Sequence, residues 1–158
     1  MSQPYFDTGV VLKLLVHEPL SSAVLAFLGD RKVAVPYSRL VAIETENALQ
    51  AKAHRKEITG PQLQACRQLI HELLADGRFF RPTLSLDDVA VGALSRVPTI
   101  TGSTGCRTLD LLHIVSAQLL GYSEFITTDQ RQAAAARSAG LQVVDLTAWG
   151  GIKLKLHE

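Results

Sequence analysis

The sequence predicts an α/β fold, a three-layer α/β/α sandwich with helices on both faces of a mainly parallel sheet. Short β-type runs alternate with longer helical ones along the chain, the pattern that gives parallel strands joined by crossover helices. Pro and Gly stand where one run stops and the next begins. The chain has 158 residues, 47% hydrophobic and 20% charged, enough for a buried core and wrong for a disordered or fibrous protein. No repeat, linker or low-complexity tract divides it, so residues 1–158 read as one domain.

Pro4 to Phe6 reads as a buried strand, and Asp7 leads into a helix through Leu15. Glu18-Pro19 breaks that helix, because proline disfavours helix in the residue before it. A second helix runs from about Ser21 to Leu28, and Lys32 to Val35 is a strand stopped at Pro36. Ser38 to about Arg55 is helical, with Leu40, Ile43, Asn47 and Ala51 recurring at helical intervals. Pro61 opens a helix that reaches about Ala75 and halts near Gly77. Phe79-Phe80 is a strand, and a helix follows from about Leu86 to Ser95. The stretch PTITGSTGC reads as a loop before a strong helix, Leu111 to Leu120, closed by Gly121. Phe125 to Thr127 is a strand, Gln130 to Ala139 an Ala-rich helix ended by Gly140, and Gln142 to Leu146 a last strand. Residues 149–158 read as an edge strand or a frayed end.

Composition excludes several classes. No apolar run approaches the roughly 20 residues needed to span a bilayer. The N-terminus lacks a basic leader and meets Asp7 and Lys13 early, unlike a signal peptide, so the expected address is the cytoplasm. Cys66 and Cys106 stand far apart with no partner at metal-ligand spacing, as plain thiols do in a reducing compartment. Net charge is +1, so contact with nucleic acid would rest on basic residues gathered locally.

Asp7 and Asp129 each follow a strand, on the edge where open parallel sheets bind ligands. Asp110 enters the helix LLHIVSAQLL, and Glu44 lies about two turns into its own helix. Each aspartate also suits an N-cap, and Glu44 alone would suit a solvated helix face. Capping does not account for Glu44 beside Leu40, Ile43, Ala48 and Ala51 on a stripe expected to be buried. Nor does it exclude ligation, since one carboxylate oxygen can cap while the other binds a cation. Carboxylates that converge repel, so some are protonated or a cation sits among them. Mg²⁺ and Mn²⁺ suit such oxygen ligands, and a site of this kind is machinery for phosphodiester hydrolysis. Spacing alone makes this possible without establishing it.

Four segments together resemble the PIN-domain family, in its VapC-type toxin branch. They are YFDTGVVLKLLVHEP, SRLVAIETENAL, RTLDLLHIVSAQLLG and FITTDQRQAAAARSAGLQVV, in the family's order from residue 5 to about 144. The resemblance implies a Mg²⁺- or Mn²⁺-dependent endoribonuclease whose metal-site acids are Asp7, Glu44, Asp110 and Asp129. Glu44 is preferred over Glu46 because Glu44 to Leu49 fits a Glu-x-x-Asn-Ala-Leu pattern, and two residues of helix turn Glu46 about 200° away. Thr8 and Thr127 would orient carboxylates or a water, or serve as turn and cap residues. The resemblance also implies an RNA substrate, a cognate antitoxin and a homodimer. One departure is Leu111, Ile114 and Val115, larger than expected at some positions of their helix.

His113 reads first as a core histidine bonded to a backbone carbonyl, and next as a partner of the carboxylates. Lys52 and Arg55 belong to a basic cluster that either complements a helix C-terminus or contacts RNA phosphates. Arg107 and Arg131, beside Asp110 and Asp129, either hold a phosphate or balance the acids. Among rivals, an aspartyl-phosphate phosphatase usually needs a second aspartate two residues after the first, where Gly9 stands. A PIN-like module that binds without cutting, and an RNA-processing nuclease outside a toxin pair, both stay open.

Overall fold

The structure is a computed structural model and describes residues 3–147. Its strands are β1 (Tyr5–Phe6), β2 (Val35–Pro36), β3 (Phe79–Phe80), β4 (Glu124–Thr127) and β5 (Gln142–Asp145). The longer helices are α1 (Thr8–Leu15), α2 (Ser21–Arg31), α3 (Arg39–His54), α4 (Gly60–Ala75) and α5 (Leu86–Arg96). A π-helical turn, Val97–Thr101, then leads through α6 (Gly102–Thr104) to α7 (Thr108–Leu119) and α8 (Gln130–Ser138).

Every strand pairing is parallel. β4 lies between β1 and β5, and β2 pairs with β3. The Gln3 side chain, just ahead of β1, donates to Ala34 O at 2.8 Å just ahead of β2, tying the two sheets together.

The period of two along each strand decides which layer a side chain enters. Tyr5 and Phe125, in register on β1 and β4, stack at 5.4 Å and face a core built with Val89, Ile114, Val115 and Ala135. Their neighbours Phe6 and Ile126 face the other way, into a core with Val10, Val24, Phe27, Val41 and Phe79. α5, α7 and α8 thus cover one face, and α1 to α4 supply the other. The expected three-layer sandwich is what the chain forms.

Several boundaries differ, each for a physical reason. β2 includes Pro36, which lacks an N–H; the ladder skips it, with Val35 N donating to Arg78 O at 2.8 Å and Tyr37 N to Phe80 O at 2.7 Å. α2 runs past Leu28 to Arg31, closed by Lys32 in a left-handed conformation. The stretch expected to be a loop is helical through Thr104, because Ser103 and Thr104 hydroxyls donate to the Ile100 carbonyl at 3.1 and 2.7 Å and stop at Gly105. α7 begins at Thr108, so Asp110 lies inside its first turn. The expected stripe of α3 is also corrected. Leu40, Val41, Thr45 and Leu49 are buried, while Ile43 is 58% exposed and Asn47 faces solvent. The bulky residues of α7 fit because the small residue stands opposite them: a Cβ at Gly92 of α5 would come within 3.0 Å of Val115 Cγ1. The alternatives for residues 149–158 lie outside the described residues. Among the described residues no helix is long and apolar enough to cross a membrane.

Candidate active site

A cleft of about 520 Å³ opens at the carboxyl ends of β1 and β4 and is lined by Asp7, Glu44, Asp110 and Asp129. Acids from α3, α7 and the ends of two strands therefore meet at one rim. A larger cavity of about 680 Å³, walled by Leu14, Leu25, Leu28, Leu69 and Leu73, is mainly apolar, and its charged Asp76 and Arg78 pair with each other. It carries no comparable chemistry.

Asp7 is 3% exposed and N-caps α1, its Oδ1 accepting from Val10 N at 2.7 Å. Its backbone N–H donates to Ile126 O at 3.2 Å, so the β1–β4 ladder runs up to the acid itself. The Thr127 hydroxyl donates to its Oδ2. Burial still raises the carboxyl above the usual aspartate range, against the hydrogen bonds from Thr127 and Val10 that lower it.

Glu44 projects from α3 toward α1 and α7. Thr8 Oγ1 donates to its Oε2 at 2.8 Å, and His113 Nε2 meets the same oxygen. Burial acts to raise its pKa, but the hydrogen bond and charge attraction of His113 and the bond from Thr8 outweigh it and leave it lowered. Glu44 is thus held ionised. Glu46 faces away and pairs with Arg67 of α4.

Asp110 is 6% exposed and its Oδ2 accepts from Arg107 N and Arg107 Nε, each at 3.1 Å. It satisfies a free N–H at the helix start from the third helical position, not as the N-cap the sequence allowed. Asp129 N-caps α8, its Oδ1 accepting from Arg131 N at 2.8 Å and Gln132 N at 3.1 Å. Arg107 Nη2 reaches Asp129 Oδ2 at 3.5 Å, so one guanidinium spans both acids.

The donors facing the cleft are carboxylate and hydroxyl oxygens, which match a hard divalent cation. Among the described residues no three His, Cys, Asp or Glu side chains form a closed metal cage. An ion here would keep several waters, the habit of Mg²⁺.

A family model described as PIN domain matches residues 5–138. The chain belongs to the PIN domain family. This PIN domain is 30% identical over 146 residues to Ribonuclease VapC46 of Mycobacterium tuberculosis, across 91% of this chain and 98% of that protein. Its fold is similar to the crystal structure of FitAcB from Neisseria gonorrhoeae, with TM-score 0.61 and 17% identity over 92% of this chain and 99% of that one. It is also similar to FitAB bound to an IR36 DNA fragment, with TM-score 0.63 and 18% identity over 91% of this chain and 95% of that one.

Not every expected contact of the PIN domain lies at the cleft. Lys52 and Arg55 are absent from its lining: Lys52 pairs with Glu18 at 2.6 Å and Glu57 at 3.4 Å, and Arg55 with Glu57 at 2.6 Å. Arg131 is exposed and also outside the lining, whereas Arg107 is within it. His113 does not bond a backbone carbonyl as first expected; its ring lies between Tyr5 OH and Glu44. The sequence reading passed over Gln132, 5% exposed and at the cleft. Its signal was a polar residue on the small-residue face that buries Ala133, Ala135 and Ala136.

Proposed function

We propose that this PIN domain is an endoribonuclease dependent on Mg²⁺ or Mn²⁺, the toxin of a VapBC-type toxin–antitoxin pair. The observation that carries the reading is the convergence of Asp7, Glu44, Asp110 and Asp129 on one cleft. Identity to a protein named as a ribonuclease supports it.

Asp7, Asp110 and Asp129 would hold the cation, with Glu44 acting through water or helping to remove a proton from it. The bound ion supplies charge neutralisation at the phosphate and makes water more acidic. Thr127 and Thr8 keep Asp7 and Glu44 in fixed rotamers, so the acids do not reorganise during the reaction. Arg107, 60% exposed at the rim, is free to turn its guanidinium to a phosphate. Lowering of Glu44 keeps it an acceptor at neutral pH.

The VapC name of the relative supports a cognate antitoxin whose segment covers the cleft, a homodimer and a cytoplasmic address. The test is direct. Purified protein cleaves RNA with Mg²⁺ or Mn²⁺ and stops with chelator, and inducible expression yields new RNA ends that are missing with Asp129→Ala. Undiminished cleavage by Asp7→Asn would remove this mechanism.

A further inference from the structure

Tyr5 presents a hydroxyl that its packing does not need. It is 0% exposed in β1, and its ring stacks on Phe125 at 5.4 Å, a contact phenylalanine makes equally well. A buried hydroxyl costs stability unless it is hydrogen-bonded, and this one lies 2.8 Å from Nδ1 of His113, itself 3% exposed.

His113 has only acceptor chemistry on its other side. Nε2 meets the Glu44 carboxylate and lies 3.3 Å from Thr8 Oγ1, whose own proton goes to Glu44 Oε2 at 2.8 Å. A neutral imidazole carries one donor and one acceptor nitrogen, and the partner of one nitrogen sets the role of the other. With Nε2 facing oxygen acceptors, Nδ1 must accept, and Tyr5 is the donor that meets it.

We propose that Tyr5 is a positioning residue: by donating to Nδ1 it holds His113 as the Nε2–H tautomer and aims that N–H at Glu44. The chain of contacts runs from the sheet through α7 to α3, so the central strand orients a carboxylate two elements away. His113 then serves as a fixed donor, and its Nε2 is not available as a base. The consequence for the cation rests on the metal-dependent reading above. A misaligned Glu44 weakens ion binding, as loss of an outer partner does in metal sites generally.

The test pairs two readouts on Tyr5→Phe, which deletes only the hydroxyl. Nitrogen NMR of ¹⁵N-histidine protein reports the His113 tautomer, and calorimetric titration with Mn²⁺ alone reports ion binding. Wild type is expected to show the Nε2–H form. Tyr5→Phe is expected to lose that uniform state and to weaken Mn²⁺ binding by roughly tenfold. In a His113→Ala background, adding Tyr5→Phe leaves Mn²⁺ binding unchanged, because the intermediary is gone. Wild-type His113 protonated on Nδ1, on both nitrogens, or unaltered by Tyr5→Phe overturns the positioning role. If wild type shows the Nε2–H form lost in Tyr5→Phe but takes up no Mn²⁺, the reading of the cleft as a metal site fails while the tautomer control stands.

Discussion

The Thr127 hydroxyl donates to Asp7 Oδ2 and accepts the Asp129 backbone N–H at 2.9 Å. One side chain at the end of β4 therefore braces the acid that follows β1 and fixes the turn carrying the acid that follows β4. Parallel register makes this possible: Phe6 pairs with Ile126, so Asp7 and Thr127 stand side by side.

Thr127→Val should damage both stability and cleavage. It is isosteric but leaves a buried Asp7 oxygen without its donor, at a cost of about 1–3 kcal/mol. Urea unfolding measures the loss, and Thr127→Ser should recover most of it along with the RNA cleavage rate.

Asp7→Asn should separate stability from activity. Burial raises the Asp7 carboxyl, so its ionised form is less favourable in the fold than in the unfolded chain. The amide keeps an oxygen for Val10 N without that charge. Cleavage should disappear while the melting temperature in chelator holds or rises; a clear fall would contradict the burial argument.

Arg107→Gln should weaken RNA binding and flatten its salt dependence. Arg107 is the basic side chain among the residues lining the cleft, and one lost phosphate contact reduces the slope of log K against log salt by roughly 0.7 for a single strand. Filter binding in chelator across a salt series measures it. Lys52→Met should leave that slope unchanged, since Lys52 is engaged by Glu18 and Glu57.

Glu18→Gln should lower stability at neutral pH by under about 1 kcal/mol, the scale of a largely solvent-screened pair. Burial acts to raise Glu18, but Lys52 and Lys13 outweigh it and leave it lowered. A depressed carboxyl stabilises fully above its unfolded pKa, about 4.3, and that contribution is lost as pH falls through the folded value. The gap between wild type and variant in urea midpoint should therefore close below roughly pH 4.

Gly92→Val should destabilise by about 1–3 kcal/mol through overpacking. A Cβ there meets Val115 Cγ1 at 3.0 Å and Arg96 Nη1 at 3.2 Å, and Val115 is 0% exposed with nowhere to retreat. Val115→Ala in the same chain should restore part of the loss in thermal unfolding.

The sequence by itself determined the layer pattern and the places where strands hand over to helices. Asp7 and Asp129 were legible because caps and strand ends are local events, written in a few neighbouring residues. Glu44 could be told from Glu46 by helical phase alone, and Arg67 does hold Glu46 on the other side. Periodicity misjudged Ile43, because whether an apolar helix face is covered depends on where the next element packs.

Only the tertiary structure decided the pairings between distant segments. His113 meets Tyr5 and Glu44 across separations of 108 and 69 residues, and no local pattern encodes a contact of that kind. Lys52 and Arg55 looked like a basic patch until Glu18 and Glu57 stood beside them. Charge is legible along a chain; whether it is already neutralised depends on three-dimensional neighbours, since Coulomb attraction acts through space.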